Sequence, residues 1–457
     1  VTRNFAFRII VDILVLLYVL IFINNTSYRP RISLSFILMV GIWVLYLVSS
    51  LVNNSFLWSF WGDYTRMDGL LGMGHLIAYW YVLTQVFREE REWHMFWQVV
   101  IFVGFGSGLV ALSQALGRPL LIETSGGLRS TSLFGNAAYY SFFQITTIFL
   151  SLIIARQKRH TGYSFFLILL IAALVSLTGY EIFSQLWLDQ AGPLLVIAGN
   201  IYMLCLCALI FLYALMYHYQ RREYQRRLLF TLLILVQVMG LVSSFSKATI
   251  LALFIGLFVV AVTEVMRWRR GLLLRVSLAL VMLIGIITIG PGAYSLMLGE
   301  SVQWNPLITI QSIANSVSSE HRQEVWGSAE KSFSQKSIVG WGLNNFDLAF
   351  ERNYPEKVYD NFNSPLWYDK AHNLLWQHAV EGGLSVIILG IIFFWLTFRH
   401  LLRWLRRTRQ ELMLPLWLGF FTSYLLVCLV YFDTLNNALP FVAMLAWIET
   451  QRRDYDH

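Results

Sequence analysis

What most constrains this chain is the repetition of long apolar runs, separated by short segments that carry most of its charge. A helix needs about 20 mostly apolar residues to cross a bilayer. Inside lipid every backbone polar group must be satisfied within the chain, which leaves helices and closed barrels. The runs here are continuous rather than alternating, which excludes a β-barrel. They are read at 9–24, 33–52, 69–87, 96–115, 136–154, 163–178, 193–217, 228–243, 248–266, 276–290, 373–398, 413–431 and 435–449. The expected fold class is therefore all-α, a polytopic membrane protein of about 13 transmembrane helices. Composition agrees. Of the 457 residues, 57% are hydrophobic and 13% charged, against about 45–50% and about 25% in soluble domains. The mean hydropathy is +0.60. A soluble enzyme, a disordered protein and a nucleic-acid binder are all excluded.

The net charge of +8 reads as topology rather than as attraction to nucleic acid, because the basic residues stand in blocks between the runs. Blocks at 156–159, 221–227, 267–275 and 399–409 fall in alternate connections, and an excess of Lys and Arg marks the cytoplasmic side. The same alternation puts 53–68, 116–135, 244–247 and the long segment 291–372 on the outer face. It leaves Val1 outside and His457 inside, so one further span ahead of Val1 is expected. The domains expected on this basis are residues 1–290 with transmembrane helices 1–10, an outer-loop subdomain at 291–372, and 373–457 with helices 11–13 and a cytoplasmic tail. The loop contains an amphipathic helix near 320–334, with Val325, Trp326, Ala329 and Phe333 at helical spacing. A Gly-rich turn follows, Val339-Gly340-Trp341-Gly342, and Pro355 and Pro365 break the remainder. Cys205, Cys207 and Cys428 lie in apolar runs, where neither a disulfide nor a metal–thiolate site is expected.

Residues that could carry chemistry gather on the outer face. Lys247 follows Ser243-Ser244-Phe245-Ser246 and opens the ninth run. A helix N-terminus offers free N–H groups and a positive dipole end, and a cation there strengthens an anion site. An interfacial Lys that merely snorkels is the plain alternative. Arg322 opens the amphipathic helix and suits bidentate phosphate binding, or is an exposed helix charge. Arg129, just before the fifth run, is a third cation or an interfacial anchor. His372 stands in Asp369-Lys370-Ala371-His372-Asn373, where the chain re-enters the membrane. The helix dipole disfavours imidazolium there, leaving a neutral ring available as a base near pH 7. His75 and His378 fall within runs and read as hydrogen-bonded packing residues. No paired carboxylates stand at the outer face, and no His-Glu-x-x-His, Walker loop or GxSxG is present. The only Asp-x-Asp is Asp454-Tyr455-Asp456, in the cytoplasmic tail. No metal and no cofactor are expected.

These residues, in this order, resemble the O-antigen ligase superfamily, which includes O-antigen ligases, related glycan polymerases and protein O-oligosaccharyltransferases. The match runs from Trp61-Gly62-Asp63-Tyr64-Thr65-Arg66-Met67-Asp68-Gly69-Leu70 through the Arg129 segment to Ser246-Lys247. It continues with Arg322 to Trp326, Gly340-Trp341-Gly342, His372-Asn373 with Glu381-Gly382-Gly383, and Phe432-Asp433-Thr434-Leu435. The family pattern after His-Asn is nine residues, Gly, two residues, then Gly, Thr or Tyr; here Gly383 is in place and the last position is Val386. The usual Ser-Arg-Gly is Ser246-Lys247-Ala248, which keeps the cation without the guanidinium fork.

The resemblance implies a membrane glycosyltransferase that is metal-independent and inverting. The donor is a glycan on a polyprenyl (undecaprenyl) pyrophosphate. The acceptor is a hydroxyl of a glycolipid, glycan or protein, and the reaction occurs at the periplasmic face of a bacterial inner membrane, as in lipopolysaccharide biosynthesis. On that reading Lys247, Arg322 and Arg129 neutralise the pyrophosphate, His372 is the general base, and Asn373 or Asp369 orients its ring. The three residues Lys247, Arg322 and His372 are expected to line one cavity with the 320–334 helix folded over it. A polymerase or a protein O-oligosaccharyltransferase would use the same donor. A lipid-linked oligosaccharide flippase is the alternative from another class, but it would place ionisable groups at midspan and show inverted repeats. The orientation is testable: a cysteine placed at residue 335 should react with a membrane-impermeant reagent in spheroplasts, and labelling only after lysis overturns it.

Overall fold

The computed structural model describes residues 2–64, 66–117, 119–122, 129–157, 222–267, 322–355, 367–408 and 410–453. The runs expected at 163–178, 193–217 and 276–290, the loop up to His321, Pro365, Cys205 and Cys207 lie outside the described residues. Each other expected run is a helix. They are α1 (Thr2–Asn24), α2 (Leu34–Val52), α3 (Phe56–Trp61), α4 (Leu70–Val86), α5 (Glu90–Ala115), α6 (Ala137–Arg156), α7 (Arg222–Ser243) and α8 (Lys247–Arg267). Then follow α9 (Arg322–Gln335), α10 (Phe346–Arg352), α11 (Leu374–Arg407), α12 (Leu414–Cys428) and α13 (Leu435–Arg453). α3, α9 and α10 are short helices in the segments between the apolar runs. Among the described residues no strand occurs, and seven helices are long and apolar enough to cross a membrane, where the sequence leads one to expect about 13 in the whole chain.

The chain divides into two packed units, Val1–Glu89 with Phe254–His457, and Glu90–Leu253. In the second unit α5, α6 and α7 pack closely because small residues let the backbones approach. A Cβ on Gly240 would stand 2.4 Å from the Tyr140 hydroxyl and 2.9 Å from Gly108 Cα. Several polar groups in this apolar bundle are paired with one another. Gln144 Nε2 donates to Gly104 O at 2.8 Å and to Ser107 Oγ at 3.0 Å, and Ser151 Oγ donates to Gln237 Oε1 at 3.1 Å.

The first unit is built around α11. At one end, Trp404, Trp417 and Trp447 pack with ring centroids 5.4–6.3 Å apart, beside a buried contact of His400 Nδ1 with Glu449 at 3.3 Å. Near the other end α11 is broken. Gly383 has φ 67° and ψ −171°, a conformation open essentially to glycine alone. The break interrupts the helical ladder, and such groups must find partners when buried. The turn at 337–342 supplies them. Trp341 N donates to Val380 O at 2.8 Å, Gly342 N to Glu381 O at 2.9 Å, and Leu384 N to Ser337 O at 2.7 Å. Asn53 Nδ2 donates to Gly340 O at 3.0 Å, and Asn345 Nδ2 to Ser55 Oγ and Ser59 Oγ at 2.7 and 3.0 Å. The turn is thereby fixed between α11 and the α2–α3 connection.

A Cβ at Gly383 would meet Ile338 O at 2.4 Å. Gly383→Ala should therefore lower stability by about 2 kcal/mol or more, read as the thermal midpoint of the purified protein. Gly390→Ala, in the same helix but with nothing within 4 Å of the new Cβ, should leave the midpoint unchanged or raise it. Equal midpoints for the two variants would contradict the role given to the break and to the turn at 337–342 that partners it.

Candidate functional site

The site in the first unit is assembled from α9, the segment before α11, the α3–α4 connection and the segment between α12 and α13. The amphipathic helix expected at 320–334 is α9. It buries Val325, Ser328, Ala329 and Ser332 on one face, against a core of Phe346, Phe350, Ala371 and Val380, with Phe333 packed at its edge. That packing carries Arg322 inward. Arg322 is only 7% exposed, which removes the reading of an exposed helix charge. Its guanidinium carbon lies 5.8 Å from the centre of the Tyr431 ring.

One turn on, Trp326 Nε1 donates to Ala371 O at 3.0 Å, while Ala371 N donates to Gln377 Oε1 at 2.7 Å. Ala371 is thus clamped from both sides immediately before His372. Asn373 caps α11, its Oδ1 accepting from Leu375 N at 2.9 Å and Trp376 N at 3.2 Å. Between the clamp and the cap His372 adopts φ 49°, which is uncommon for a residue with a Cβ and holds only where the surroundings impose it. The half-buried imidazole stands edge to face with Phe432, centroids 5.2 Å apart, and 6.1 Å from Tyr368.

Phe432 has a second neighbour, a cation. The Arg66 guanidinium lies 4.8 Å from its ring centre, within range of a cation–π contact, and pairs with the carboxylate of Asp369. Arg66 and His372 therefore meet Phe432, and Arg322 meets the preceding residue Tyr431, so that the three converge on the Tyr431-Phe432 pair. Asp433 follows. Burial pushes its carboxyl up to about 7, against the hydrogen bonds it accepts from Thr434 N and the Tyr424 hydroxyl.

Lys370 is the other member that the sequence does not single out. It is buried, and its Nζ stands 3.1 Å from Asp68 Oδ2 and donates to Asn344 Oδ1. Burial works against its charge, but the carboxylates of Glu381 and Asp68 outweigh that and hold its pKa above the ordinary value. It is a fixed cation at neutral pH. Asp369, expected beside the His372 ring, gives its carboxylate to Arg66, and Asn373 gives its oxygen to the helix cap. His75 and His378 are hydrogen-bonded as expected, His75 Nδ1 with Leu71 O at 2.7 Å and His378 Nδ1 with the Tyr46 hydroxyl at 2.6 Å.

The remaining expected cations belong to the second unit. Lys247 opens α8 and is exposed. It follows a tight turn in which Phe245 has φ 49° and Ser244 N donates to Leu241 O at 3.1 Å. Arg129 docks on this turn, its Nε donating to Ser244 O at 3.2 Å, and Ser130 N donates to Ser243 O at 3.1 Å. Two cations that are 118 positions apart in the numbering are thus fastened to one turn. Among the described residues no group of three His, Cys, Asp or Glu is placed to hold a metal ion.

The Lys370 and Asp68 pair is partly shielded, so its loss should lie between that of a surface and a buried pair. Lys370→Met should cost about 1–3 kcal/mol, read by thermal unfolding. A double-mutant cycle with Asp68→Asn should return a coupling of about 1 kcal/mol or more. Additive losses would show that the two do not hold each other.

No curated protein matches the chain. The O-antigen ligase family model matches residues 232–394, the stretch that holds most of α7, all of α8, α9 and α10, the 337–342 turn, His372 and the break at Gly383. Over those residues this multi-helix membrane protein is similar to the O-antigen ligase family, in agreement with its resemblance to the O-antigen ligase superfamily.

Proposed function

We propose that the protein is a metal-independent, inverting glycosyltransferase. It moves a glycan from a polyprenyl-pyrophosphate carrier to an acceptor hydroxyl at the periplasmic face of the bacterial inner membrane. The observation that carries this reading is the convergence of Arg66, Arg322 and His372 on Tyr431 and Phe432. Two guanidinium groups suit a leaving pyrophosphate, and an imidazole beside them suits an acceptor hydroxyl. In the reaction the bond from the anomeric carbon to the pyrophosphate oxygen breaks as the acceptor oxygen attacks from the opposite face. The acceptor proton passes to His372 as general base. The charge that develops on the departing lipid pyrophosphate falls to Arg66 and Arg322, with Lys247 and Arg129 as further cations. Asp369 is the resting counterion of Arg66, which an arriving anion would displace. The acceptor decides between a ligase, a polymerase and a protein O-oligosaccharyltransferase, which share this donor.

The test is transfer by purified protein from a lipid-linked glycan to lipid A-core, glycan and protein acceptors, with donor binding measured alongside. His372→Ala should lower the rate about 10²–10⁴-fold and keep donor binding. Arg322→Ala and Arg66→Ala should weaken donor binding as well. Lys247→Arg should be tolerated and Lys247→Ala should not. Activity should persist in EDTA, since the sequence shows no paired carboxylates in the segments expected at the outer face. Normal activity of His372→Ala, or loss in EDTA that Mg²⁺ restores, overturns the mechanism. Movement of the donor across the membrane with no transfer would favour the flippase.

A further inference from the structure

The far end of α11 carries a basic cluster that the transfer reaction does not use. Trp395, Phe398, Arg399, Leu402, Arg403 and Arg406 line a cavity of about 290 Å³. Their spacing puts them on one helical face. Trp395, Arg399, Arg403 and Arg406 are exposed, Phe398 and Leu402 are half-buried between them, and the opposite face buries His400, Leu401, Trp404 and Leu405. The Arg399 guanidinium lies 5.3 Å over the Trp395 ring. Among the described residues no carboxylate lines the cavity.

The cup continues an apolar stripe. The preceding residues, 384–398, contain no charge, and Ile388, Ile391 and Ile392 are exposed on the way to Trp395. The arginines begin where that uncharged stretch ends, the depth at which a bilayer places its headgroups. A topology signal needs positive charge alone and is indifferent to helix face. Here three planar forks, which match phosphate oxygens, share one concave face with an indole, below which an acyl chain has isoleucines to lie on.

We propose that this face binds one anionic phospholipid, its phosphate among Arg399, Arg403 and Arg406 and its acyl chains along Ile388, Ile391 and Trp395. The apolar stripe argues for a lipid over a free phosphate, which would have no use for it. The site is independent of the glycan chemistry above.

The full chain is placed in nanodiscs of phosphatidylcholine with a minority of phosphatidylglycerol, and the lipids retained after release are counted by native mass spectrometry. The wild type should retain phosphatidylglycerol over phosphatidylcholine at least about tenfold. The combined variant Arg399→Gln, Arg403→Gln, Arg406→Gln should lose that preference. Arg403→Glu alone, which changes the middle of the cup and least disturbs insertion, should lose most of it. Arg407→Gln, outside the cup, should keep it. Equal retention by wild type and Arg403→Glu, an equal loss in Arg407→Gln, or displacement of the lipid by inorganic phosphate would each overturn the proposal.

Discussion

The break in α11 at Gly383 is the feature on which the first unit depends. A transmembrane helix satisfies its own backbone, and interrupting one leaves carbonyls and N–H groups that lipid cannot partner. The 337–342 turn meets them with backbone hydrogen bonds from Trp341 and Gly342 and to Ser337. The same turn is tied to Asn53, and through Asn345 to Ser55 and Ser59. One interruption in a membrane helix therefore seats α9 and α10 against α11. Through α9 it also fixes where Arg322 and Trp326 stand. Glycine is required at the break because of both its dihedral angles and its space.

Electrostatics does the finer placement. Arg66 pairs with Asp369 and Asp68 with Lys370, so two ion pairs join the α3–α4 connection to the two adjacent residues just ahead of His372. Breaking a shielded pair costs more than a surface pair because the remaining charge keeps its desolvation penalty. The pairs, the clamp on Ala371 and the Asn373 cap together impose the left-handed backbone at His372. They also let cations gather around Tyr431 and Phe432 without an anion bound, since Asp369 and the aromatic faces share the charge of Arg66.

Much of this was legible in the chain itself. The helix read near 320–334 is Arg322–Gln335, with Val325 and Ala329 on its buried face, because amphipathic periodicity is a local signal. Gly383 stands where the family pattern after His372-Asn373 has its glycine, and its dihedrals show what a glycine does there. Arg66 and Lys370 gave no comparable signal. A lone cation in a loop looks the same whether it anchors an interface or pairs with a carboxylate, and the partner of Arg66 is 303 residues away. Nor did Asn373 announce a cap in preference to a contact with the imidazole; that choice rests on helix geometry two and three residues later.

The sequence by itself determined the class of the molecule, a helical multi-pass membrane protein whose motifs resemble the O-antigen ligase superfamily. Bilayer crossing and helix periodicity depend on residues adjacent in the chain, and a sequence displays those directly. Only the tertiary structure decided that Arg322 is buried, that the Gly340-Trp341-Gly342 turn mends a broken helix, and that Arg66 joins Arg322 and His372 around Tyr431 and Phe432. Those outcomes depend on which distant groups packing brings within hydrogen-bonding or ring-contact distance, and charge pairs and backbone partners are chosen by that proximity rather than by position along the chain.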